Sequence, residues 1–235
     1  MRSFIVMAMF TASLAHADWG QYEEKRDLHL DADGISELVI DAGPGSLRVN
    51  GNADASAIHV IATIQVDEND EEKARDVIRK RMTLALEDEG GSAKLTSHFK
   101  GGYWGSADGA VALEVEMPAT MALSVDDGSG SIVIRDLASD VSVVDGSGSL
   151  KVYDVGAVDV DDGSGSIEVI GAGGDVKIVD GSGSITVEQV RGSVTINDGS
   201  GSIHVRDVDN DVVIEEDGSG GVSVANVRGD VISDG

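Results

Sequence analysis

From Asp127 onward the chain runs in short bursts of the form apolar-x-apolar, each followed by small and polar residues. A burst comes every nine residues or so: Gly183-Ser184-Ile185-Thr186-Val187 is echoed by Gly192-Ser193-Val194-Thr195-Ile196, Gly165 to Val169 by Gly174 to Ile178, and Gly201 to Val205 by Asn210 to Ile214. Apolar-x-apolar is the period-2 mark of a short strand with one buried face, and about nine residues hold one such strand and one tight turn. Two bursts make a repeat headed by Asp-Gly-Ser-Gly-Ser. It begins at Asp127, Asp145, Asp162, Asp180 and Asp198, with an Asp-Gly-Ser-Gly-Gly variant at Asp217. The spacings are 18, 17, 18, 18 and 19 residues: one repeat is short because Val155 directly precedes Gly156, and the last starts late because Glu215-Glu216 adds a residue.

Self-similarity at a fixed period predicts stacked coils. Two strands per coil, each lying over its copy in the next, place Ile over Leu over Ile and Val over Val in two parallel sheets facing each other. The predicted fold is therefore all-β: a parallel β-solenoid, or β-roll, with about 18 residues and two strands per coil. A second apolar set, Leu137, Val155, Ala172, Val190, Val208 and Val227, is expected to plug the turn between half-repeats. An antiparallel meander is the rival, since Asp-Gly is a strong hairpin signal. It would leave one apolar face to be covered by a layer that the chain after residue 120 does not supply. One coil buries about four to five aliphatic side chains at roughly 1.5–3 kcal/mol each. Ordering costs about 1.5 kcal/mol per residue, so no coil folds alone and stability comes from stacking.

Asp41-Ala42-Gly43-Pro44-Gly45-Ser46-Leu47-Arg48-Val49 is a degenerate copy of the repeat, which puts the start of the solenoid plan near Ile35. Ile58 to Val60 and Ala62 to Ile64 continue it as strands. Between Asn69 and Met82 the period changes: Ala74, Val77, Ile78 and Met82 fall near helical spacing. Asn69 with Glu72 reads as a capping box, and Arg79-Lys80-Arg81 stands where the helix dipole favours cations. The helix is expected to cap the N-terminal end of the stack. Three strands follow, near Met82–Glu87, Ala93–Phe99 and Ala110–Met117, with Gly101 to Gly105 in the loop between the last two. The expected organisation is a targeting segment at 1–17, an N-terminal extension at 18–34, a β part at 35–120 with a helix near 69–82, and the repeat solenoid at 121–235.

Composition narrows the choices. The 235 residues include 43 acidic and 17 basic side chains, a net charge of -26, and no cysteine. Disulfides, thiolate zinc and a cysteine nucleophile are excluded. Nucleic acid is an unsuitable partner for so acidic a surface. Met1 to Ala17 carries one positive charge, a short apolar run and Ala15-His16-Ala17, the parts of a secretory signal peptide that would leave a chain starting at Asp18. No stretch approaches the roughly 18 apolar residues of a membrane span. A periplasmic, secreted or cell-surface location is expected.

Taken together, the leader, the Gly43-Pro44-Gly45-Ser46-Leu47-Arg48-Val49 start, a helix after one strand pair and the repeated DGSGSIxV units resemble the putative-adhesin family of secreted bacterial proteins, a domain of unknown function with solenoid repeats. The resemblance covers roughly Ile35 to the C-terminus. It implies a non-enzymatic role at the cell surface or in the periplasm and transfers no catalytic residues. The chain stops at Asp234-Gly235, the opening of a seventh turn: either the sequence is a fragment, or its last coil ends bare, an open edge that invites end-to-end self-association.

The candidate chemistry is periodic. Stacking sets Asp127, Asp145, Asp162, Asp180, Asp198 and Asp217 about 4.8 Å apart. Each neighbouring pair then repels by about 0.9 kcal/mol in water and about 3.5 kcal/mol at an effective dielectric of 20. Two things can offset this. Each carboxylate can accept N–H bonds from its own Gly and Ser turn, with solvent screening the rest. Alternatively, divalent cations, Ca²⁺ above all, can bind between coils, which makes the six aspartates candidate metal ligands. The calcium-binding nonapeptide roll has its Asp after the glycines, and here it precedes them, so that geometry does not carry over.

Tyr103 and Trp104, in the glycine-rich loop, are candidate partner-binding residues that can stack on a sugar or an apolar surface. The outward rows, Val133, Lys151, Glu168, Thr186, His204, Ser223 and Ser142, Asp159, Lys177, Thr195, Val213, Ile232, form no Thr or aromatic ladder. His29, His59, His98 and His204 are scattered, with no metal spacing and no triad pattern. The leading functional reading is an exported, non-enzymatic, adhesin-like binding or structural module of the bacterial envelope, with no resident cofactor and an unidentified envelope or surface partner. Beside it stand a calcium-stabilised roll and a polysaccharide-acting β-helix enzyme. Short turns disfavour the enzyme, since they build no cleft.

Overall fold

The computed structural model describes residues 22–100 and 109–233. Its N-terminal part comprises β1 (Tyr22–Asp31), β2 (Glu37–Ala42), β3 (Gly45–Asn52), β4 (Ala57–Val66), α1 (Glu71–Arg81), β5 (Met82–Asp88), β6 (Ser92–Phe99) and β7 (Gly109–Pro118). Strands then alternate without a helix. They are β8 (Ala122–Asp127), β9 (Gly130–Arg135), β10 (Val141–Asp145), β11 (Gly148–Val155), β12 (Val158–Asp162), β13 (Gly165–Ala172) and β14 (Val176–Asp180), followed by β15 (Gly183–Val190), β16 (Val194–Asp198), β17 (Gly201–Val208), β18 (Val212–Glu216), β19 (Val222–Val227) and β20 (Val231–Ser233).

These strands form two ten-stranded sheets. One runs β1-β4-β7-β3-β9-β11-β13-β15-β17-β19, and the other runs β20-β18-β16-β14-β12-β10-β8-β2-β6-β5. From β8 to β20 every pairing is parallel and, apart from one shift between β16 and β18, in register: Leu150 lies beside Ile132 and Ile167, and Val143 beside Val125 and Val160. The parallel β-solenoid is therefore the fold, and the meander is excluded. The inward residues of both sheets, among them Ile132, Leu150, Ile167, Ile185, Ile203 and Val143, Val160, Ile178, Ile196, Ile214, are buried in one continuous core. Leu137, Val155, Ala172, Val190 and Val208 fill the second corner as expected, and Val227 is partly buried against them. Asp136, Asp154, Gln189, Asp207 and Asn226, each just before or near these plugs, turn that corner at φ between 52° and 62°. The left-handed region is one that Asp and Asn tolerate better than most residues.

The degenerate copy forms a true coil. Gly45 aligns with Gly130 and Ala42 with Asp127, so β2 and β3 are a rung of the ladder. The chain does not stack its rungs in sequence order, however. After β3 it runs back antiparallel through β4, crosses between the sheets as α1, and returns through β5 to lay β6 and β7 on the far side of β2 and β3. It then steps over that first rung to begin β8.

The helix occupies residues 71–81 rather than 69–82. Its N-cap is Asp70, one residue after the expected Asn69, and Asp70 Oδ1 accepts from Lys73 N at 3.1 Å. Ala74 and Ile78 are buried at the end of the stack, while Met82 already opens β5. The helix thus closes the N-terminal end, as its apolar spacing predicts. The segment expected as an extension carries a ten-residue edge strand, β1, paired along its length with β4. The leader at 1–17 lies outside the described residues, as do Tyr103 and Trp104. Among the described residues no helix is long and apolar enough to cross a membrane.

Candidate functional site

The Asp-Gly-Ser-Gly-Ser turn joins the end of one sheet to the start of the other, and each of its residues has a structural reason. The Asp ends a strand with its side chain turned inward. Its Oδ1 accepts the N–H of the Ser two residues on, at 3.2 Å for Asp145, 3.1 Å for Asp162 and Asp180, and 3.0 Å for Asp198. The first Gly donates its N–H to the Asp carbonyl of the preceding coil, as Gly163 does to Asp145 at 2.9 Å. The second Gly adopts φ between +142° and +152°, and a Cβ there would fall 1.5–1.8 Å from the carbonyl oxygen of the glycine one coil back. Only glycine fits that approach.

In-register pairing puts Asp127, Asp145, Asp162, Asp180 and Asp198 in one row. The row is buried, at 0–3% exposure. This corrects the expectation of solvent-screened carboxylates: the expected bonds to the turn are present, and they draw the acid inward, away from water. Asp145, Asp162, Asp180 and Asp198 each spend Oδ1 on their turn, while the Oδ2 of all five is buried with no hydrogen-bond partner. Toward the N-terminus the row meets Ala42 and then the buried Ser97, which occupy the same position in the two preceding rungs. Asp217 departs from the pattern. The extra residue at Glu215-Glu216 makes a bulge in the pairing of β16 with β18, and Asp217 is half-exposed.

The electrostatics follow from burial. Loss of solvent, and then the neighbouring Asp145, push the Asp127 carboxyl up to about 7, against the pull of the Gly128 and Ser129 N–H groups. Burial pushes Asp180 up to about 6, with Asp162 and Asp198 adding to it. Asp145, Asp162 and Asp198 are raised for the same first reason. Among the described residues no three His, Cys, Asp or Glu side chains converge as a metal site.

The outer faces of the two sheets differ in charge. On the face that carries β9 to β19, cations and anions pair: Arg206 with Glu188 at 2.6 Å, Lys151 with Glu168 at 3.9 Å, and Arg135 over the Tyr153 ring at 5.2 Å. On the opposite face one row reads Asp126, Val144, Asp161, Val179, Asn197. The next holds Ser124, Ser142, Asp159, Lys177 and Thr195. Asp126, Asp159 and Asp161 are exposed, and so are Val144 and Val179. Acids alternate with valines in the first row, so no two carboxylates are adjacent from Asp126 onward. Sequence reading listed the second row and overlooked the first, whose signal is the residue just before each repeat's Asp.

Two histidines that look scattered in sequence meet in space. His29 and His59 are directly opposite across β1 and β4, with ring centroids 6.4 Å apart; His59 Nε2 lies 2.9 Å from Asp27 Oδ1. His98 contacts Asp41. The best-formed depressions are two grooves that open broadly to solvent. One is lined by Glu37, Asp140, Asp159, Asp175 and Lys177, and the other by Asp136, Asp154, Gly171, Gln189 and Arg191.

The fold defines a two-sheet parallel β-solenoid with a helical cap. No family model matches the chain, and no curated protein does. The chain is similar to several solved structures over most of its length. One is a "putative lipid binding protein" of Parabacteroides distasonis, at 16% identity over 91% of this chain and 94% of that one, with a TM-score of 0.48. A "putative adhesin" of Bacteroides fragilis is 12% identical over 90% of this chain and 97% of that one, with a TM-score of 0.47. A "putative cell adhesion protein" of Clostridium sporogenes is 10% identical over 90% and 99%, with a TM-score of 0.34. Likeness at this level carries no statement about ligand or partner.

Proposed function

We propose that the chain is a non-enzymatic, adhesin-like binding rod of the bacterial envelope, exported by its leader, which engages a basic partner through the acidic outer face of the sheet that carries β8 to β18. The observation that carries the reading is the unequal charge of the two faces. Lys and Arg neutralise Glu on one, whereas Asp126, Asp159 and Asp161 stand exposed on the other with Val144 and Val179 between them. A flat, rigid face with spaced acids and intervening apolar side chains suits a partner offering cations at intervals, and such a contact is salt-sensitive. Short turns support the non-enzymatic part of the reading. Neither open groove excludes water from an acid, and general acid–base chemistry on sugars needs an acid whose environment holds its proton.

The test is attachment of beads coated with the chain to surfaces bearing either a basic polypeptide or an acidic polysaccharide. Attachment to the basic surface alone is expected. Replacing Asp126, Asp159 and Asp161 together with Asn should remove most of it, while replacing Glu168 and Glu188 on the other face with Gln should not. Equal loss from both variants would show that net charge, rather than this face, is responsible, and would overturn the assignment.

A further inference from the structure

The row of five buried aspartates holds oxygens without partners in a place where unpaired charge is least tolerable. Each Oδ2 of Asp127, Asp145, Asp162, Asp180 and Asp198 is sealed from solvent and unbonded, in a column where Asp145, Asp162 and Asp180 have another carboxyl on both sides along the stack. The charged groups that act on the row are its own members together with Asp126 beside Asp127, Asp161 beside Asp162 and Asp217 beyond Asp198. All are acidic. Toward the N-terminus the row ends on uncharged Ala42 and Ser97, and across the core it faces aliphatic side chains. Among the described residues, no lysine, arginine or histidine is one of the main charges acting on it. Something positive has to enter the column for it to exist.

A divalent cation fits poorly. Calcium takes about six to eight oxygens, whereas this column offers one free carboxylate oxygen per coil, and the turn's N–H groups are donors. A proton needs only two oxygens. It needs no coordination shell, and it removes the charge from a buried carboxyl outright. We propose that Asp127, Asp145, Asp162, Asp180 and Asp198 form a proton-binding row, a ladder of carboxylic acid and carboxylate groups whose shared protons relieve the charge on the buried oxygens.

Protons taken up on folding make stability depend on pH in a definite direction. The unfolded chain releases these protons at ordinary carboxyl values, near 3.8, while the folded row holds them up to about 6 at Asp180 and about 7 at Asp127. Stabilisation by the row is therefore complete below about 3.8 and is lost progressively as pH rises from there to about 6–7. Asparagine at the inner positions supplies a permanent N–H donor in the same shape, replacing the proton without its titration.

The experiment is thermal unfolding of the full chain between about pH 5 and pH 8, beside an Asp162→Asn/Asp180→Asn variant and an exposed control, Asp159→Asn/Asp161→Asn. The unmodified chain should lose about 5 °C or more of Tm across this range. The inner variant should lose clearly less and melt higher than the unmodified chain at the alkaline end. The control should keep the full pH slope. An unchanged slope in the inner variant overturns the proposal. So does a rise in Tm at the alkaline end on adding millimolar calcium but not magnesium, since a cation would then fill the column. If the inner variant fails to fold, the infrared spectrum of the unmodified chain decides. A carboxylic-acid C=O band persisting near neutral pH and vanishing on unfolding is expected, and its absence refutes the shared protons.

Discussion

The closest test of the stacking geometry is a single methyl group. Gly183 opens β15 at φ +150°, and an alanine Cβ there would lie 1.5 Å from the Gly165 carbonyl oxygen, half the 3.0 Å below which real Cβ atoms essentially never approach. The obstacle is backbone, so no rotamer change relieves it. Either the two coils part, breaking Gly165 N–H to Ser182 O and Gly181 N–H to Asp162 O, both 2.9 Å, or the residue is forced to another φ. Backbone strain costs about 1–3 kcal/mol, overpacking about 1–3 kcal/mol, and each hydrogen bond lost about 1 kcal/mol. Gly183→Ala is therefore expected to lose about 4–6 kcal/mol in urea unfolding followed by far-ultraviolet circular dichroism. Because contacts run only between neighbouring coils, the transition should also broaden or split as the coils beyond β15 come free. Gly128 has the same place in the motif as Gly181 but nothing within 4 Å of its would-be Cβ. Gly128→Ala should stay within about 1 kcal/mol of the unmodified chain. Equal stability of the two variants would refute the close-stacked coil geometry.

Two further perturbations probe other parts. Asp70→Ala removes the N-cap side chain of α1 and should cost about 1 kcal/mol, seen as faster amide exchange in the helix with the repeat coils unchanged. Ile185→Ala empties a wholly buried position in mid-stack and should cost about 2–5 kcal/mol by urea unfolding.

The solenoid was legible because each inward position repeats the same kind of side chain every 17 to 19 residues, so the period itself states which residues stack. Even the irregularities were readable: the residue added at Glu215-Glu216 emerges as a bulge where Asn197 pairs with Glu216. β1 was not legible, because Glu23-Glu24-Lys25-Arg26 carries no alternation and the strand lies at an edge, where half-exposure suffices. The order of the first rungs was equally hidden. Nothing local in Ser92–Phe99 says that it pairs beside β2 on the side away from β8, since parallel register is set by partners far along the chain. Five of the six aspartates expected in the row stack there, Asp217 leaving it at the bulge, and the row's surroundings were misjudged. Acidic residues in turns ordinarily face water, and only the Asx bond to the following serine turns these inward.

The displaced order of the first rungs bears on how the molecule assembles. β2 is flanked by β6 on one side and β8 on the other, so Leu38 meets Ala93 and Leu123, residues far along the chain. Completing that rung requires closing large loops before any local reward, and loop closure of this kind slows folding. Every later coil needs only the next 17 to 19 residues and lands on a finished template. The N-terminal third therefore acts as a seed crystal does: difficult to form, and once formed, the surface on which the remaining coils grow one layer at a time.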